Sequence, residues 1–247
     1  MAMLISVAGN DPGPGVRAGL QADAEMAQRV GVHFRGVVAV ETEQDEGGLR
    51  RVEPRPAEEV EHQLREALME AAMLGEVAIK TGALGTAEVV RAVARVAADW
   101  PEVPLVVDPV RQASRRHEGV PPLLDEQGWQ CMQTELFPLA WLVTPNRAEY
   151  GEGSEFARAR AVLVTGGDED ELADVVDLLI VDGVARERRE ARLPGAEHLH
   201  GTGCRHAAAL AMGWMRLGEL DAAVEFAAIP LRSWMAEQLG LADPRRD

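Results

Sequence analysis

Short runs of apolar residues alternate with amphipathic stretches along most of the 247-residue chain. A short apolar run bounded by glycine or proline is typical of a strand that is buried on both faces of a sheet. Apolar positions that recur every three or four residues indicate a helix instead. We expect the polar segment 41–48 to be a loop. The pattern predicts strands at 4–8, 36–40, 49–52, 77–80, 105–110, 141–146, 161–167 and 174–181, and helices at 18–30, 56–74, 86–99, 125–136, 204–217 and 221–239.

This alternation of strands and helices predicts an α/β fold in which helices cover both faces of a mostly parallel sheet. No internal repeat, low-complexity linker or shift in composition divides the chain, so we expect one domain spanning residues 1–247. In open α/β sheets, ligands bind outside the carboxyl ends of the strands. Polar residues stand at or just after the ends of the predicted strands and are expected at one edge: Asp11, Gln44, Lys80, Asp108, Asn146 and Thr165.

Composition narrows the choice of partners and compartment. The formal net charge is −16 and no basic patch offsets it, which argues against nucleic acid as a partner. The chain has no uncharged apolar run of about 18 residues, so no membrane-spanning helix is expected. Cys131 and Cys204 show no metal-ligand spacing, and the first residues lack the charged region of a signal peptide, so a cytoplasmic protein is the simplest expectation. Lys80 is the only lysine, so any chemistry that requires a lysine falls to it.

The turn Gly201-Thr202-Gly203 leads directly into an alanine-rich helix that begins near Cys204. The first amides of a helix have no partner within it and lie at the positive end of its dipole, so this turn is a candidate anion hole. Phosphoryl transfer requires such stabilisation of charge and a base for the hydroxyl proton. We expect the helix start to lower the pKa of the Cys204 thiol. The alternative is an ordinary glycine turn beside a cysteine that serves as a small buried apolar side chain.

Asp108 and Glu149 are candidate ligands for Mg²⁺, which prefers one or two carboxylates together with water and substrate phosphates. The alternative is that both are ordinary surface acids, because the chain has 41 aspartates and glutamates. Gln44 can donate and accept hydrogen bonds at once, which suits recognition of a heterocycle. The alternative is that Gln44 is an isolated polar residue of an acidic loop and has no specific role.

Seven segments of the chain match, in order, the motifs of one family. They read Ala-Gly-Asn-Asp-Pro at 8–12, Ala-Gly-Leu-Gln-Ala-Asp at 18–23, Lys-Thr-Gly-Ala-Leu-Gly at 80–85, Val-Val-Asp-Pro-Val at 106–110, Leu-Val-Thr-Pro-Asn-Arg-Ala-Glu at 142–149, Val-Thr-Gly-Gly at 164–167 and His-Gly-Thr-Gly-Cys at 200–204. Together they resemble the hydroxymethylpyrimidine/phosphomethylpyrimidine kinases of thiamine biosynthesis, in the ribokinase superfamily. The resemblance covers about residues 3 to 228.

The resemblance implies a ribokinase-like three-layer α/β/α sandwich, typically a homodimer, that uses ATP and Mg²⁺ to phosphorylate a pyrimidine alcohol or its monophosphate. By motif position, Cys204 is the expected catalytic base and Gly201, Thr202 and Gly203 form the anion hole. Vitamin B6 kinases usually have aspartate in place of Cys204, so this residue favours the pyrimidine branch. The resemblance further implies a pyrimidine site at Gly9, Asp11, Ala18, Asp23, Gln44 and Val110, a nucleotide site at Asn146, Thr165, Gly166 and Gly167, and Mg²⁺ ligands at Asp108 and Glu149.

The chain departs from the family pattern mainly on the nucleotide side. Thr165 and Asp168 replace the lysine and histidine of a Lys-Gly-Gly-His segment, and the segment between Glu149 and Ala161 is short. The first glycine loop is two residues longer and is stiffened by proline. Two alternatives follow from these changes: a pyrimidine-binding or regulatory module that has lost catalysis, or a kinase for a pyridoxine-like alcohol or a sugar. The arginines that we consider as substitutes for the lost lysine are Arg111, Arg116 and Arg205.

Overall fold

A computed structural model describes residues 1–13, 18–45, 47–113, 115–167 and 174–241. Strands and helices alternate through most of these ranges, as the apolar pattern predicts. The strands are β1 (Ala2–Asn10), β2 (His33–Asp45), β3 (Gly48–Pro54), β4 (Glu76–Thr81), β5 (Leu105–Val107), β6 (Leu142–Val143), β7 (Ala161–Val164), β8 (Asp174–Val181) and β9 (Val184–Ala191). The helices are α1 (Gly19–Val30), α2 (Ala57–Ala72), α3 (Ala87–Asp99), α4 (Glu126–Cys131), α5 (Arg147–Tyr150), α6 (Thr202–Leu217) and α7 (Leu220–Gln238).

The strands form one sheet in the order β3-β2-β1-β4-β5-β6-β7-β8-β9. Pairing is parallel from β2 through β1, β4, β5 and β6 to β7, and antiparallel for β3 on β2, β8 on β7 and β9 on β8. The sheet is therefore mostly parallel, and its central strands end at a common edge. Antiparallel hairpins extend it on both sides.

Helices cover both faces of this sheet. Met3, Ile5 and Val7 of β1 pack into a core shared with α2, α3 and α4, whereas Leu4 faces a second core shared with α1, α6 and α7. This alternation follows from the two-residue period of a strand, because successive side chains point to opposite faces. The result is the three-layer α/β/α sandwich that the sequence predicts.

Two sheet predictions are wrong. Residues 41–45 were expected in a loop, yet they extend β2 and pair with β3 through a register shift between Glu43 and Gln44. Strand β9 was not predicted, because Val184–Ala191 carries five consecutive charged residues and no apolar alternation. Its backbone pairs with β8 along the whole strand, and an edge strand needs no buried side chains to form that ladder.

Some element boundaries also differ from the pattern. The strand predicted at 105–110 ends at Val107, so Asp108 lies just beyond the strand end and its side chain points to the edge of the sheet. The helix predicted at 125–136 is α4 followed by a π-helical segment, Met132–Leu136. Among the described residues, no helix combines the length and apolar character that crossing a bilayer requires.

Candidate active site

Four ionisable side chains meet at the carboxyl edge of the sheet, where α1 and α6 begin. Asp23 lies in the second turn of α1, Lys80 near the end of β4, Asp108 just after β5, and Cys204 in the first turn of α6. β4 lies between β1 and β5, and α6 packs against β4 and β5, so the topology brings the four together. We call these four residues the Lys80 cluster. Three of them were predicted site residues, and the fourth is the only lysine of the chain.

Lys80 is the centre of the cluster. Its Nζ lies 3.0 Å from Asp23 Oδ2, 3.2 Å from Asp23 Oδ1 and 3.7 Å from Asp108 Oδ2, and its side chain is 0% exposed. Burial acts to lower the pKa of Lys80, but the negative charges of Asp23, Cys204 and Asp108 outweigh it and raise the pKa. Lys80 therefore remains a buried ammonium group at any pH at which the chain functions.

Asp23, which the resemblance places in the pyrimidine site, is held by Lys80 and Ser6. Its carboxylate is completely buried and accepts a hydrogen bond from Ser6 Oγ at 2.5 Å as well as those from Lys80. Burial raises the pKa of Asp23, while the charge of Lys80 and the bond from Ser6 act to lower it. Asp23 thus acts on the site through Lys80.

Cys204 and Asp108 differ in their readiness to hold a proton. Burial raises the pKa of Asp108 to about 6, while Lys80 and a hydrogen bond with the Cys204 thiol act to lower it. Burial raises the pKa of Cys204 to about 11, although Lys80 and a hydrogen bond with the backbone of Gly19 act to lower it. The predicted lowering of the thiol pKa is therefore wrong, because desolvation between three neighbouring charges outweighs the helix start. Near neutral pH the thiol holds its proton and Asp108 is mostly ionised.

A close approach between Gly9 and Gly19 brings α1 to the cluster. A Cβ atom on Gly19 would lie 2.2 Å from the carbonyl oxygen of Gly9, and Gly19 has φ of 54°, so this contact requires glycine at position 19. Ala18 is the N-cap of α1, directly before this contact. The predicted site residues Gly9 and Ala18 therefore lie beside the backbone group that bonds Cys204.

The Gly201-Thr202-Gly203 turn has the form expected of an anion hole. Gly201 is the N-cap of α6 with φ of 72°, and the helix begins at Thr202. Arg205 N–H donates to the Gly201 carbonyl, whereas the amides of residues 201–204 have no backbone acceptor within the described chain. These amides point outward at the positive end of α6, one turn from the Lys80 cluster.

The three arginines that we considered as substitutes for the lost lysine are engaged elsewhere. Arg111 pairs with Glu126 at 3.2 Å and lies 4.5 Å above the ring of Trp129. Arg116 donates to the carbonyl of Val120 at 3.1 Å. Arg205 is buried and binds the backbone of the turn.

The carboxylates predicted to bind Mg²⁺ have other partners. Asn146 caps α5 by accepting from Glu149 N–H at 2.8 Å, and Glu149 Oε2 accepts from Asn146 N–H at 3.0 Å, which is a capping box. Asp108 faces the ammonium of Lys80. Among the described residues, no group of three or more histidine, cysteine, aspartate or glutamate side chains could hold a metal ion. Asp108 and Glu149 each have a partner within the protein in this arrangement.

The segment Thr165–Gly167 lies at the edge of the sheet as predicted, beside Asn146, with which Thr165 forms a parallel bridge. Gly166 N–H donates to Asp177 Oδ1 at 2.9 Å, so a carboxylate already occupies one amide of this predicted nucleotide site. Arg192 donates to the carbonyl of Gly167 at 2.9 Å. Asp168 and residues 14–17 of the extended first loop lie outside the described residues.

The remaining predicted pyrimidine residues surround the end of β1. Asp11 is buried, accepts from Gly13 N–H at 2.8 Å and keeps its Oδ2 atom without a hydrogen-bond partner. Gln44 lies on β2, and its backbone carbonyl oxygen would be 4.0 Å from a Cβ atom placed on Gly13. Val110 packs against a small apolar cluster that contains Ala83, and Ala83 lies 3.7 Å from the Cβ position of Gly9. The structure therefore brings Gly9, Asp11, Gln44 and Val110 to one region.

A cleft of about 340 Å³ opens on the outer side of this region, between the end of β1 and the β2–β3 hairpin. None of the four residues of the Lys80 cluster lines this cleft. Its lining consists of Asn10, Pro12, Glu41, Thr42, Glu43, Arg51 and Glu53.

Sequence reasoning missed the partners of Lys80 and the contacts that Ser6 and Asp177 make. Lys80 carried a signal, because a single lysine at the end of an otherwise apolar buried strand needs an acidic partner. Ser6 lies within the apolar run of β1 and pairs alongside Lys80 in the sheet, which only the strand order reveals. Asp177 carried no signal, because its role depends on the antiparallel placement of β8.

Comparison with solved structures supports the fold. The phosphomethylpyrimidine kinase of Clostridium difficile superposes with a TM-score of 0.72 at 22% identity, covering 97% of this chain and 100% of that one. The pyridoxal kinase of Bacillus subtilis, in an ADP complex, superposes with a TM-score of 0.76 at 24% identity, covering 92% and 89%. The chain therefore shares the α/β/α fold of these two kinases.

Sequence comparison identifies the family. The phosphomethylpyrimidine kinase family model matches residues 11–155 and 153–243. The hydroxymethylpyrimidine/phosphomethylpyrimidine kinase of Mycobacterium tuberculosis is 34% identical over 263 residues, covering 98% of this chain and 89% of that protein. The enzyme of the same name from Streptomyces coelicolor is 32% identical over 240 residues, covering 91% and 85%. The chain belongs to the phosphomethylpyrimidine kinase family.

Proposed function

We propose that this chain, acting as one domain over residues 1–247, transfers the γ-phosphate of ATP to hydroxymethylpyrimidine or to its monophosphate. The observation that carries the proposal is the arrangement of Cys204. Its thiol lies close enough to Asp108 and to the buried ammonium of Lys80 for both to shift its pKa, and the first amides of α6 have no backbone acceptor among the described residues. A proton acceptor and an anion hole thus stand within one helical turn of each other.

In the proposed reaction the acceptor hydroxyl lies against Cys204 Sγ and the γ-phosphate lies on the amides of residues 201–203. The hydroxyl oxygen forms a bond to the γ-phosphorus, the bond from that phosphorus to the bridging oxygen breaks, and this oxygen leaves on ADP. The hydroxyl proton passes to Sγ while the thiol proton passes to Asp108, because a thiol with a pKa of about 11 is a poor final acceptor and the carboxyl group has a pKa of about 6.

The other predicted residues supply binding. Gly9, Ala18 and Val110 are proposed to pack against the pyrimidine, and Gln44 and Asp11 to bond its polar edge. The nucleotide is proposed to bind along Asn146 and Thr165–Gly167. Magnesium enters as the complex with the ATP phosphates, where it neutralises their charge, because Asp108 and Glu149 are held by other groups. We further propose that the protein is a homodimer, that it acts in the cytoplasm and that its reaction is a step of thiamine biosynthesis. These three proposals rest on the family resemblance.

The test is a kinase assay with Mg-ATP and, separately, hydroxymethylpyrimidine, its monophosphate and pyridoxine. We expect the first two to be phosphorylated and Cys204→Ala to lower kcat at least about a hundredfold, because a general base contributes roughly that much. Cys131→Ala is the matched control, since that thiol is buried near α4, away from the cluster, and the variant should keep the wild-type rate.

The proposal is contradicted if neither pyrimidine is phosphorylated and Cys204→Ala behaves as the wild type does. A higher kcat/KM for pyridoxine than for both pyrimidines would mean that the acceptor is a pyridoxine-like alcohol, and the proposed mechanism would be unchanged.

A further inference from the structure

Arg205, the residue after Cys204, is 1% exposed despite its charge. Its Nη1 donates to the carbonyl oxygen of His200 at 3.2 Å and to that of Gly201 at 3.1 Å. Its Nη2 pairs with Glu25 of α1, and its guanidinium lies 4.0 Å above the ring of Trp234 of α7. One side chain therefore ties the turn before α6 to two other helices.

The two carbonyls that Arg205 binds belong to successive peptide units of the turn. In a planar trans peptide, the carbonyl oxygen of one residue and the amide N–H of the next point in opposite directions. Binding of the His200 and Gly201 oxygens to Arg205 therefore directs the N–H groups of Gly201 and Thr202 to the opposite side of the turn. The φ of 72° at Gly201 is the conformation that a residue other than glycine rarely adopts in such a turn.

A guanidinium suits this task because it presents several donors in one rigid plane. A lysine ammonium could satisfy the same charge but not the fixed fork geometry. The pairing with Glu25 and the stacking on Trp234 immobilise the guanidinium before any ligand arrives, so the amides need no rearrangement when phosphate binds.

We propose that Arg205 is a positioning residue that preorganises the amides of the 201–203 turn for the phosphoryl group. The inference rests on the proposed function, since that function places the transferred phosphate on this turn. Arg205 touches neither phosphate nor acceptor. It acts from the side of the turn opposite the amides, through the carbonyl oxygens of His200 and Gly201.

The test separates phosphate binding from pyrimidine binding without requiring turnover. Calorimetry measures the Kd of hydroxymethylpyrimidine and of its monophosphate for the wild type, Arg205→Met and Arg205→Lys, at a temperature where each is folded. For Arg205→Met we expect the monophosphate to bind about tenfold more weakly, the unphosphorylated compound to bind within twofold of wild type, and kcat to fall about a hundredfold, which is the usual cost of losing one anion-hole donor. Arg205→Lys should give an intermediate loss.

The matched control is Arg216→Met, because Arg216 also lies on α6 and donates to a carbonyl, that of Val30 at 3.1 Å, but far from the turn. It should leave both Kd values unchanged. The inference is overturned if Arg205→Met weakens both compounds equally, if it weakens neither, or if Arg205→Lys matches the wild type. A wild type that fails to turn over but binds the monophosphate in an Arg205-dependent manner would refute the kinase activity and leave the inference standing.

Discussion

The carboxyl edge of the sheet has two regions that treat their polar groups differently. The proposed catalytic region, where β1, β4 and β5 end, buries Asp23, Lys80 and Asp108 against one another. In the proposed nucleotide region, where β6 and β7 end, Asn146 is bonded to Glu149 and Gly166 to Asp177. The first region is organised around side-chain charges, and the second around hydrogen bonds to its own backbone.

Because of this difference, a ligand would displace different existing contacts in the two regions. In the Lys80 cluster, the charges of Asp23, Asp108 and Lys80 already have partners in one another. At Gly166, by contrast, the amide is bonded to Asp177 and can bond a phosphate oxygen of ATP only if it gives up that partner. We therefore expect changes in the catalytic region to affect stability and kcat, and changes in the nucleotide region to affect the KM for ATP.

The largest expected effect is that of Lys80→Met. It leaves the carboxylate of Asp23 buried without its cation, and breaking a buried pair in this way costs about 3–5 kcal/mol in the free energy of unfolding. Denaturant unfolding measures the loss. The double variant Lys80→Met/Asp23→Leu should recover part of it, because apolar residues replace both charges. A single variant as stable as the wild type would remove the basis for treating the cluster as one unit.

The next effect concerns the Cys204 thiol. A thiol with a pKa of about 11 in place of 9.0 has about a hundredfold less thiolate at pH 8, so alkylation by iodoacetamide in a Cys131→Ala background should be slower than for a model thiol by that factor. The rate should rise with pH up to about 11. The same shift implies that stability falls as pH rises from 9 towards 11, because the unfolded thiol ionises first. Fast alkylation at pH 8 would contradict the burial argument.

A smaller effect is expected for Asn146→Ala in the nucleotide region. Loss of an N-cap costs about 1 kcal/mol of stability. Asp125→Ala is the matched control, because Asp125 caps α4 by accepting from Gly128 N–H at 2.6 Å. Thermal unfolding should show similar losses for both, while the KM for ATP should rise only for Asn146→Ala. Equal KM values for ATP in the two variants would show that Asn146 only caps α5 and does not bind the nucleotide.

The smallest effect is expected for Asp177→Asn. The amide keeps an acceptor for Gly166 N–H but removes a negative charge beside the predicted phosphate site, so the KM for ATP should fall about two- to threefold, the size of a partly screened charge interaction. Asp174→Asn, at the exposed start of the same strand, is the control and should leave the KM unchanged. An unchanged KM for ATP in Asp177→Asn would show that Gly166 does not take part in nucleotide binding.

The sequence predicts the central fold well because the apolar runs of β1, β4, β5 and β7 have no alternative to burial. It fails at β9, where charged residues hide a ladder made only by the backbone. At the site, topology predicts that Asp108 and Lys80 reach one edge of the sheet and the family resemblance adds Cys204, but neither predicts the raised pKa of the thiol. That shift comes from desolvation and from charges of residues far apart in the chain, which no local pattern reports.

The position of Lys80 has a further consequence for how folding can be followed. It is the chain's only lysine and its side chain is fully enclosed, so no lysine amine of the folded protein meets solvent. An amine-reactive reagent can modify a lysine only after the central sheet has opened. The extent of lysine modification, read by mass spectrometry after a brief pulse, therefore reports opening of the core at a single residue without any engineered probe.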